Sequence, residues 1–233
     1  INLDDEQVWC LPDNYQVHDS SLNDIQHLLN PTYTRQDIAL LDNPSTQQPY
    51  AMCLDSTKYV VGVVGLNNMK ANDGYNTIFQ ALMHVNHLRN FFLDPNKYLS
   101  FFVKHKKRAT KRRLMHPSSQ YVRACISKDT AQSVLLPPLV ANFSELMRKC
   151  WSRGLFRPHV SPHELLQSIA QQSDNQFVLD QRKDPLQFLL WFLNKLHFDL
   201  GGSKKRSSVI YKCFQGEMMK TTSSSSSSTL SNS

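Results

Sequence analysis

A mainly α fold with a few β-strands, in the α+β class, follows from three observations on this 233-residue chain. Apolar residues recur at helical spacing through several segments. Two of those segments open on full helix-start signals. Only residues 59–65 and 208–214 carry the β-branched apolar character of a strand.

In chain order, Ser21 opens a short apolar pattern (Ile25, Leu28, Leu29) that stops at Asn30-Pro31, because proline disfavours helix for the residue before it. Thr34 with Asp37 three residues on starts a second short helix through Ile38 and Leu41. Residues 43–58, with Pro44, Pro49 and many Ser, Thr and Gln, read as a linker. Tyr59-Val60-Val61-Gly62-Val63-Val64-Gly65 reads as one buried strand. With Asn72 or Asp73 as N-cap, Tyr75, Ile78, Phe79, Leu82, Val85, Leu88 and Phe92 predict one long helix of about five turns. Phe143, Leu146, Met147 and Cys150 mark another, ending near Trp151.

Ser161-Pro162-His163-Glu164 places a capping serine, proline at the first helical position and glutamate at the third, ahead of Leu165, Leu166, Ile169 and Ala170. Asp184-Pro185-Leu186-Gln187 repeats that logic before Leu189, Leu190, Leu193, Leu196 and Leu200, with Gly201-Gly202 as the stop. Phe188, Trp191 and Phe192 widen this apolar face, which predicts packing on more than one side. Ser208–Phe214 reads as a closing strand. Thr221–Ser233 is almost pure Ser and Thr and is expected to be disordered, since nothing in it offsets the entropy of ordering.

Composition narrows the classes. Hydrophobic residues at 40%, charged residues at 19% and a mean hydropathy of −0.43 fit a globular protein. No apolar run approaches the roughly 20 residues of a membrane-spanning helix, and no basic-then-apolar leader opens the chain. An opening on Ile-Asn-Leu reads as a fragment. The five cysteines are odd in number, far apart and without a Cys-x-x-Cys pair, which fits a reducing compartment, cytosol or nucleus.

The charge is concentrated. Net charge is +7, yet ten Lys or Arg and no acid fall between Pro95 and Lys128, leaving the rest of the chain at −3. The densest run holds Lys104, Lys106, Lys107, Arg108, Lys111, Arg112 and Arg113. It repels itself, resists burial and attracts phosphate or acidic surfaces. A solvated insertion loop, a nuclear localisation signal and an RNA-contacting patch all remain open for it.

Chemical motifs are sparse. His84-x-x-His87 and His159-x-x-x-His163 have spacings a metal could use, but structural zinc takes four ligands and Cys150 is the sole nearby thiol for the second pair. They read as surface polar residues, and His163 falls in the first turn of a helix. No phosphate-cradling glycine loop and no nucleophile elbow is present.

One resemblance fills the gap. Gly65-Leu66-Asn67-Asn68-Met69-Lys70-Ala71-Asn72-Asp73-Gly74-Tyr75-Asn76-Thr77-Ile78-Phe79-Gln80-Ala81-Leu82 resembles the cysteine box of ubiquitin-specific proteases. Active members read approximately G-L-x-N-L-G-N-T-C-Y-M-N-S-x-L-Q-x-L, and Gly65, Leu66, Asn68, Asn76, Gln80 and Leu82 match in register. Ser161–Leu166 resembles the helix after the box, Asp184–Leu189 the Q-D-A-x-E-F-L segment, and Phe214-Gln215-Gly216 the strand entering the fingers. The resemblance implies a partial papain-like fold, chiefly its thumb subdomain.

The departures imply as much. Asp73 stands at the nucleophile position, where the family needs a thiolate generated by a histidine. Lys70-Ala71-Asn72 replaces Gly-Asn-Thr, and the histidine box falls beyond this stretch. Asn68 stands at the oxyanion-hole position. The resemblance thus implies no catalysis, with Asp73 and Asn68 inactive. The loop wording, with Cys10–Tyr15, Asp19–Leu22, Leu146–Lys149 and Gly201–Lys205, is similar to the family's inactive spliceosomal subgroup.

That subgroup implies a nuclear, non-catalytic splicing factor that supports the tri-snRNP; the alternative is an active cysteine deubiquitinase. Implied partners are tri-snRNP proteins, with RNA or snRNA contact through the basic segment, ubiquitin binding left open and no membrane. Implied organisation is the end of a UBP-type zinc finger in 1–15, a helical linker in 16–58, the thumb part in 59–220 with a basic insertion at about 99–135, and a Ser-rich tail in 221–233. No cofactor or metal is implied within the chain; zinc belongs to a finger upstream of Ile1. A thumb alone would expose apolar faces, including part of the Trp191 helix, and would be marginally stable.

Overall fold

The computed structural model describes residues 7–10, 15–18, 31–42, 50–53, 55–94, 97, 122–125, 133–178, 181–217 and 219. The Ser21 helix, the basic run from Lys104 to Arg113 and the Ser-rich tail lie outside them.

The helices are α1 (Arg35–Leu41), α2 (Asp73–Met83), α3 (Asn86–Leu93), α4 (Pro138–Cys150), α5 (His163–Gln172), α6 (Pro185–Asp199) and α7 (Val209–Phe214). The strands are β1 (Gln7–Cys10), β2 (Tyr15–His18), β3 (Tyr50–Met52), β4 (Lys58–Val60), β5 (Gly65–Leu66), β6 (Val122–Cys125), β7 (Ser133–Leu136) and β8 (His159–Val160). Among the described residues they pair only in twos: β1–β2, β3–β4 and β6–β7 antiparallel, β5–β8 parallel with Gly65 opposite His159. The mainly α class holds, with stability resting on helix packing.

The centre of that packing is aromatic. Phe79 from α2, Phe92 from α3, Phe143 from α4, and Phe188 and Phe192 from α6 are each fully buried. Phe143 meets Phe92 and Phe192 edge-on at 5.3 Å, and Phe188 lies 4.3 Å from the Tyr75 ring. Edge-to-face contacts add to the area such rings bury. Phe79 and Tyr75, four apart, and Phe188 and Phe192, four apart, show why: on a helix these spacings share one face.

Several elements carry the caps their sequences promise. Thr34 and Asp37 form a reciprocal capping box on α1. Asp184 accepts from the Leu186 amide at 3.0 Å, with Pro185 in the first turn of α6. At the other end Gly201 adopts φ +71°, and the Gly201 and Gly202 amides donate to the Phe198 and His197 carbonyls. That is the six-to-one, five-to-two pattern of a Schellman stop.

Five sequence expectations are corrected. The helix expected through residues 72–92 is broken at His84-Val85 into α2 and α3. Trp151 Nε1 donates to the Met83 carbonyl at 3.2 Å, occupying the acceptor a continuous helix would offer His87. The His84 and Val85 amides instead bond three residues back. The stretch 59–65 is not one strand: Gly62, at φ +83°, turns the chain, and a Cβ there would lie 2.7 Å from the Trp151 ring. Residues 50–60, expected to be largely linker, hold the β3–β4 hairpin.

Ser161 does not cap α5. The helix begins at His163 with Pro162 before it and no side-chain cap, and Ser161 Oγ lies 4.0 Å from Met69 sulfur. Ser208–Phe214 is helix, not strand: Ser208 Oγ accepts from the Tyr211 amide, and Ile210 is buried with Val209 and Cys213 packed beside it. Helix α6, among the described residues, packs against α2, α4 and α7 and leaves another face open, as expected of a thumb alone. Phe188, Phe192 and Leu196 are buried, while Leu186, Leu190 and Phe198 are 60%, 55% and 59% exposed.

The end of α4 ties distant segments together, because the last carbonyls of a helix have no partner within it. Arg148 O accepts from Tyr33 Oη at 2.6 Å, Cys150 O from the Gly62 amide at 3.1 Å, and Lys149 O from the Ser152 amide. Tyr59 Oη donates to Ser152 O at 2.9 Å. Tyr33, Tyr59 and Gly62 are thereby pinned to the helical core.

Candidate functional site

The loop between β5 and α2 is built from the polar side chains of the helix that follows it. Asn72, Asn76 and Gln80 stand four apart, so they share one helix face and run beside residues 64–70. Gln80 Nε2 donates to Val64 O at 2.6 Å, and Asn76 Nδ2 to Leu66 O and Asn67 O. Asn72 is fully buried; its Oδ1 accepts from the Met69 amide at 2.8 Å and the Lys70 amide, and its Nδ2 donates to Asn67 O and Asn76 Oδ1. Asn72 occupies the N-cap position yet makes no cap bond. It locks the loop instead. Sequence reasoning read Asn72 only as a cap; the i, i+4, i+8 polar stripe was the signal for its other role.

Asn72→Ala therefore strands loop groups whose water has already been excluded. Each unmade buried hydrogen bond costs about 1–3 kcal/mol, so the variant is expected to lose about 3 kcal/mol. Faster amide exchange at Met69 and Lys70 than elsewhere in the core would confirm the local origin.

On this rigid loop, Asn68 is exposed, and Asp73 is exposed in the first turn of α2. A carboxylate there is favoured by the partial positive charge of the helix start. Thr77 Oγ1 donates to Asp73 O at 3.0 Å, closing the first turn on itself.

Burial favours the protonated thiol at Cys53, Cys150 and Cys213. Burial pushes Cys150 up to about 12, helped a little the other way by Lys149, and burial also raises Cys53 and Cys213. Reactive cysteines show the opposite displacement. Burial likewise raises Tyr33, whose hydroxyl is tied to Arg148 O, and Tyr59, pushed up to about 12.

These groups hold their protons more tightly folded than unfolded. Their stabilisation is complete below the ordinary thiol value near 9 and is lost as pH rises toward about 12. Denaturant midpoints should thus fall steadily above about pH 9. Cys150 should resist alkylation by iodoacetamide until the fold opens.

The histidine pairs do not converge on a metal. His84 Nδ1 is 2.7 Å from Gln80 O, with its ring 5.5 Å from that of Trp151, while His87, His159 and His163 are exposed. Among the described residues no three His, Cys, Asp or Glu gather as a metal cluster would require. A groove of about 480 Å3 lies between α4, residues 155–162 and the start of α5, reaching Asn67. Neither Asp73 nor Asn68 lines this groove. No helix among the described residues is long and apolar enough to cross a membrane.

A family model described as ubiquitin carboxyl-terminal hydrolase matches residues 64–229. The chain is 40% identical over 219 residues to ubiquitin carboxyl-terminal hydrolase 39 of Mus musculus and of Homo sapiens, covering 94% of this chain and 34% of each relative. It is 34% identical over 220 residues to the probable mRNA-splicing protein ubp10 of Schizosaccharomyces pombe, covering 93% of this chain and 36% of that protein. The chain spans about a third of the length of these relatives. Its fold is similar to that in the crystal structure of an essential yeast splicing factor, with a TM-score of 0.53 at 21% identity over 85% of this chain and 40% of that one.

Proposed function

The chain belongs to the ubiquitin carboxyl-terminal hydrolase family, and on that premise we propose that it is a non-catalytic member that serves pre-mRNA splicing in the nucleus by helping to hold the tri-snRNP together. The observation that carries this reading is Asp73 where the family's nucleophile stands. Amide attack needs a strong nucleophile that tolerates a developing oxyanion beside it. A carboxylate is weak toward an amide, and its charge repels that oxyanion. The raised thiol pKa values of Cys53, Cys150 and Cys213 support the same conclusion, since none of them can substitute.

The loop itself argues for a scaffold. Three side chains and their hydrogen bonds hold residues 64–72 in one conformation, although the loop has no nucleophile to position. Asn68 is then a retained surface residue and not an oxyanion donor. The name of the fission-yeast relative, a probable mRNA-splicing protein, supplies the biological setting, and fold alone would not.

The test is a tagged pulldown from nuclear extract, probed for tri-snRNP proteins, small nuclear RNAs and polyubiquitin, beside a hydrolysis assay on a ubiquitin–fluorophore conjugate. Recovery of the particle with no hydrolysis is expected. Hydrolysis that disappears only when Asp73 is replaced would overturn the proposal, as would recovery of ubiquitin chains without the particle.

A further inference from the structure

The strongest unassigned feature is the turn that leaves α6. Ser203 and Arg206 close it with two reciprocal backbone hydrogen bonds of 3.1 and 3.0 Å. Lys204, Lys205 and Arg206 within it are all exposed, as is Lys212 one helix further on. No acid intervenes between Asp199, which is paired with Lys195 at 3.3 Å, and Glu217.

Both ends of this turn are anchored to one buried residue, His197. On the entry side the Gly202 amide donates to His197 O at 2.8 Å, and a Cβ on Gly202 would overlap the His197 ring and stand 2.5 Å from that carbonyl. On the exit side Ser208 Oγ lies 2.7 Å from His197 Nδ1 while capping α7, and the Tyr211 ring sits 4.3 Å from the imidazole. The backbone that carries the three cations is therefore held in one turn despite their mutual repulsion. Phe198, six residues before Lys204, ends α6 with its carbonyl accepting from the Gly201 amide, its ring 5.5 Å from the buried His197 ring and 59% exposed.

Cations of one sign on a stiff turn match a polyanion of uniform charge better than a protein surface, where signs alternate. An exposed aromatic against the same histidine that anchors the turn adds a platform on which a base can stack, the combination that single-stranded nucleic acid binders use. We propose that Lys204, Lys205 and Arg206 contact the phosphates of single-stranded RNA while Phe198 stacks a base. This contact is separate from the run between Lys104 and Arg113, and it stands whether or not the chain joins a splicing particle.

The experiment measures binding of a fluorescent oligouridylate to the full chain from about 50 to 200 mM salt. The starting protein carries glutamine at the Lys and Arg positions of 104–113, so that only the turn is read. Each phosphate contact on a single strand contributes about 0.7 to the slope of log K against log salt. Adding K204Q/K205Q/R206Q should therefore lower that slope by about 2. F198A should weaken binding about tenfold with the slope retained. K204R/K205R should keep both, and thermal melts of the three variants should match their parent. An unchanged slope in the triple variant, an unchanged affinity in F198A, or equal competition by polyglutamate or duplex RNA would each overturn the assignment.

Discussion

Phe188→Ala is expected to destabilise the protein by about 3–5 kcal/mol, the range for truncating a buried phenylalanine. Phe188 is fully buried, and its ring meets those of Tyr75, Phe79, Phe177, Trp191 and Phe192. These neighbours come from α2, from α6 and from the segment after α5, so no single element can collapse into the void. Domains of this size hold together by about 5–15 kcal/mol in all, so the loss is a large fraction of the whole. Leu190→Ala, two residues along the same helix, removes a side chain that is already 55% exposed and should cost less than about 0.5 kcal/mol. Urea midpoints of the two variants decide the matter. Equal losses would mean that α6 packs through its other face.

The second large effect concerns Arg89, whose side chain is 4% exposed. Its guanidinium pairs with Asp42 just past α1 and stacks 4.6 Å from the Trp151 ring centroid. Asn90 Nδ2 donates to the second Asp42 oxygen at 2.9 Å, and Arg89 Nε to Asn90 Oδ1. Burial pulls the Arg89 pKa down and Asp42 opposes that, which makes the carboxylate the partner that justifies a charge in this place.

The two deletions are therefore unequal. Asp42→Asn leaves a buried cation without its counter-charge, the costly way to break such a pair. Because the Asp42 side chain is 40% exposed, water relieves part of the loss, and about 2 kcal/mol is expected. Arg89→Met keeps an apolar stem against Trp151 and frees Asp42 to water, which should cost about half as much. The double variant should be no less stable than Arg89→Met alone. A larger loss for Arg89→Met than for Asp42→Asn would show that the Trp151 contact, and not the ion pair, holds this corner.

How much of this was legible beforehand depends on the range of the signal. The caps at Thr34 and Asp184 and the stop at Gly201-Gly202 were readable because capping involves residues within a few positions of each other. The apolar stripes of α2, α4 and α6 were readable for the same reason. The box resemblance picked out Asn68 and Asp73, which are exposed on the loop before α2 and in its first turn. Trp151 escaped entirely. It takes the Met83 carbonyl, covers Gly62 and receives Arg89, and those contacts split one expected helix and one expected strand. Nothing near residue 84 or residue 62 announces a tryptophan far along the chain.

Ser208–Phe214 makes the same point. Val209 and Ile210 favour a strand locally, yet Ser208 caps a helix because His197 and the Gly202 turn have fixed its hydroxyl. Intrinsic β-preference is worth under about 1 kcal/mol and yields to a cap and a buried face.

By itself, then, the sequence determined the mainly α class, the starts of α1, α2 and α6, and the family, because each of these is encoded in residues that are neighbours along the chain. Only the tertiary structure decided where helices break, which face of α6 is buried, and that Asn72 locks a loop rather than capping a helix. Those outcomes turn on hydrogen bonds and ring contacts between residues far apart in sequence, and such contacts exist only after the chain has closed on itself.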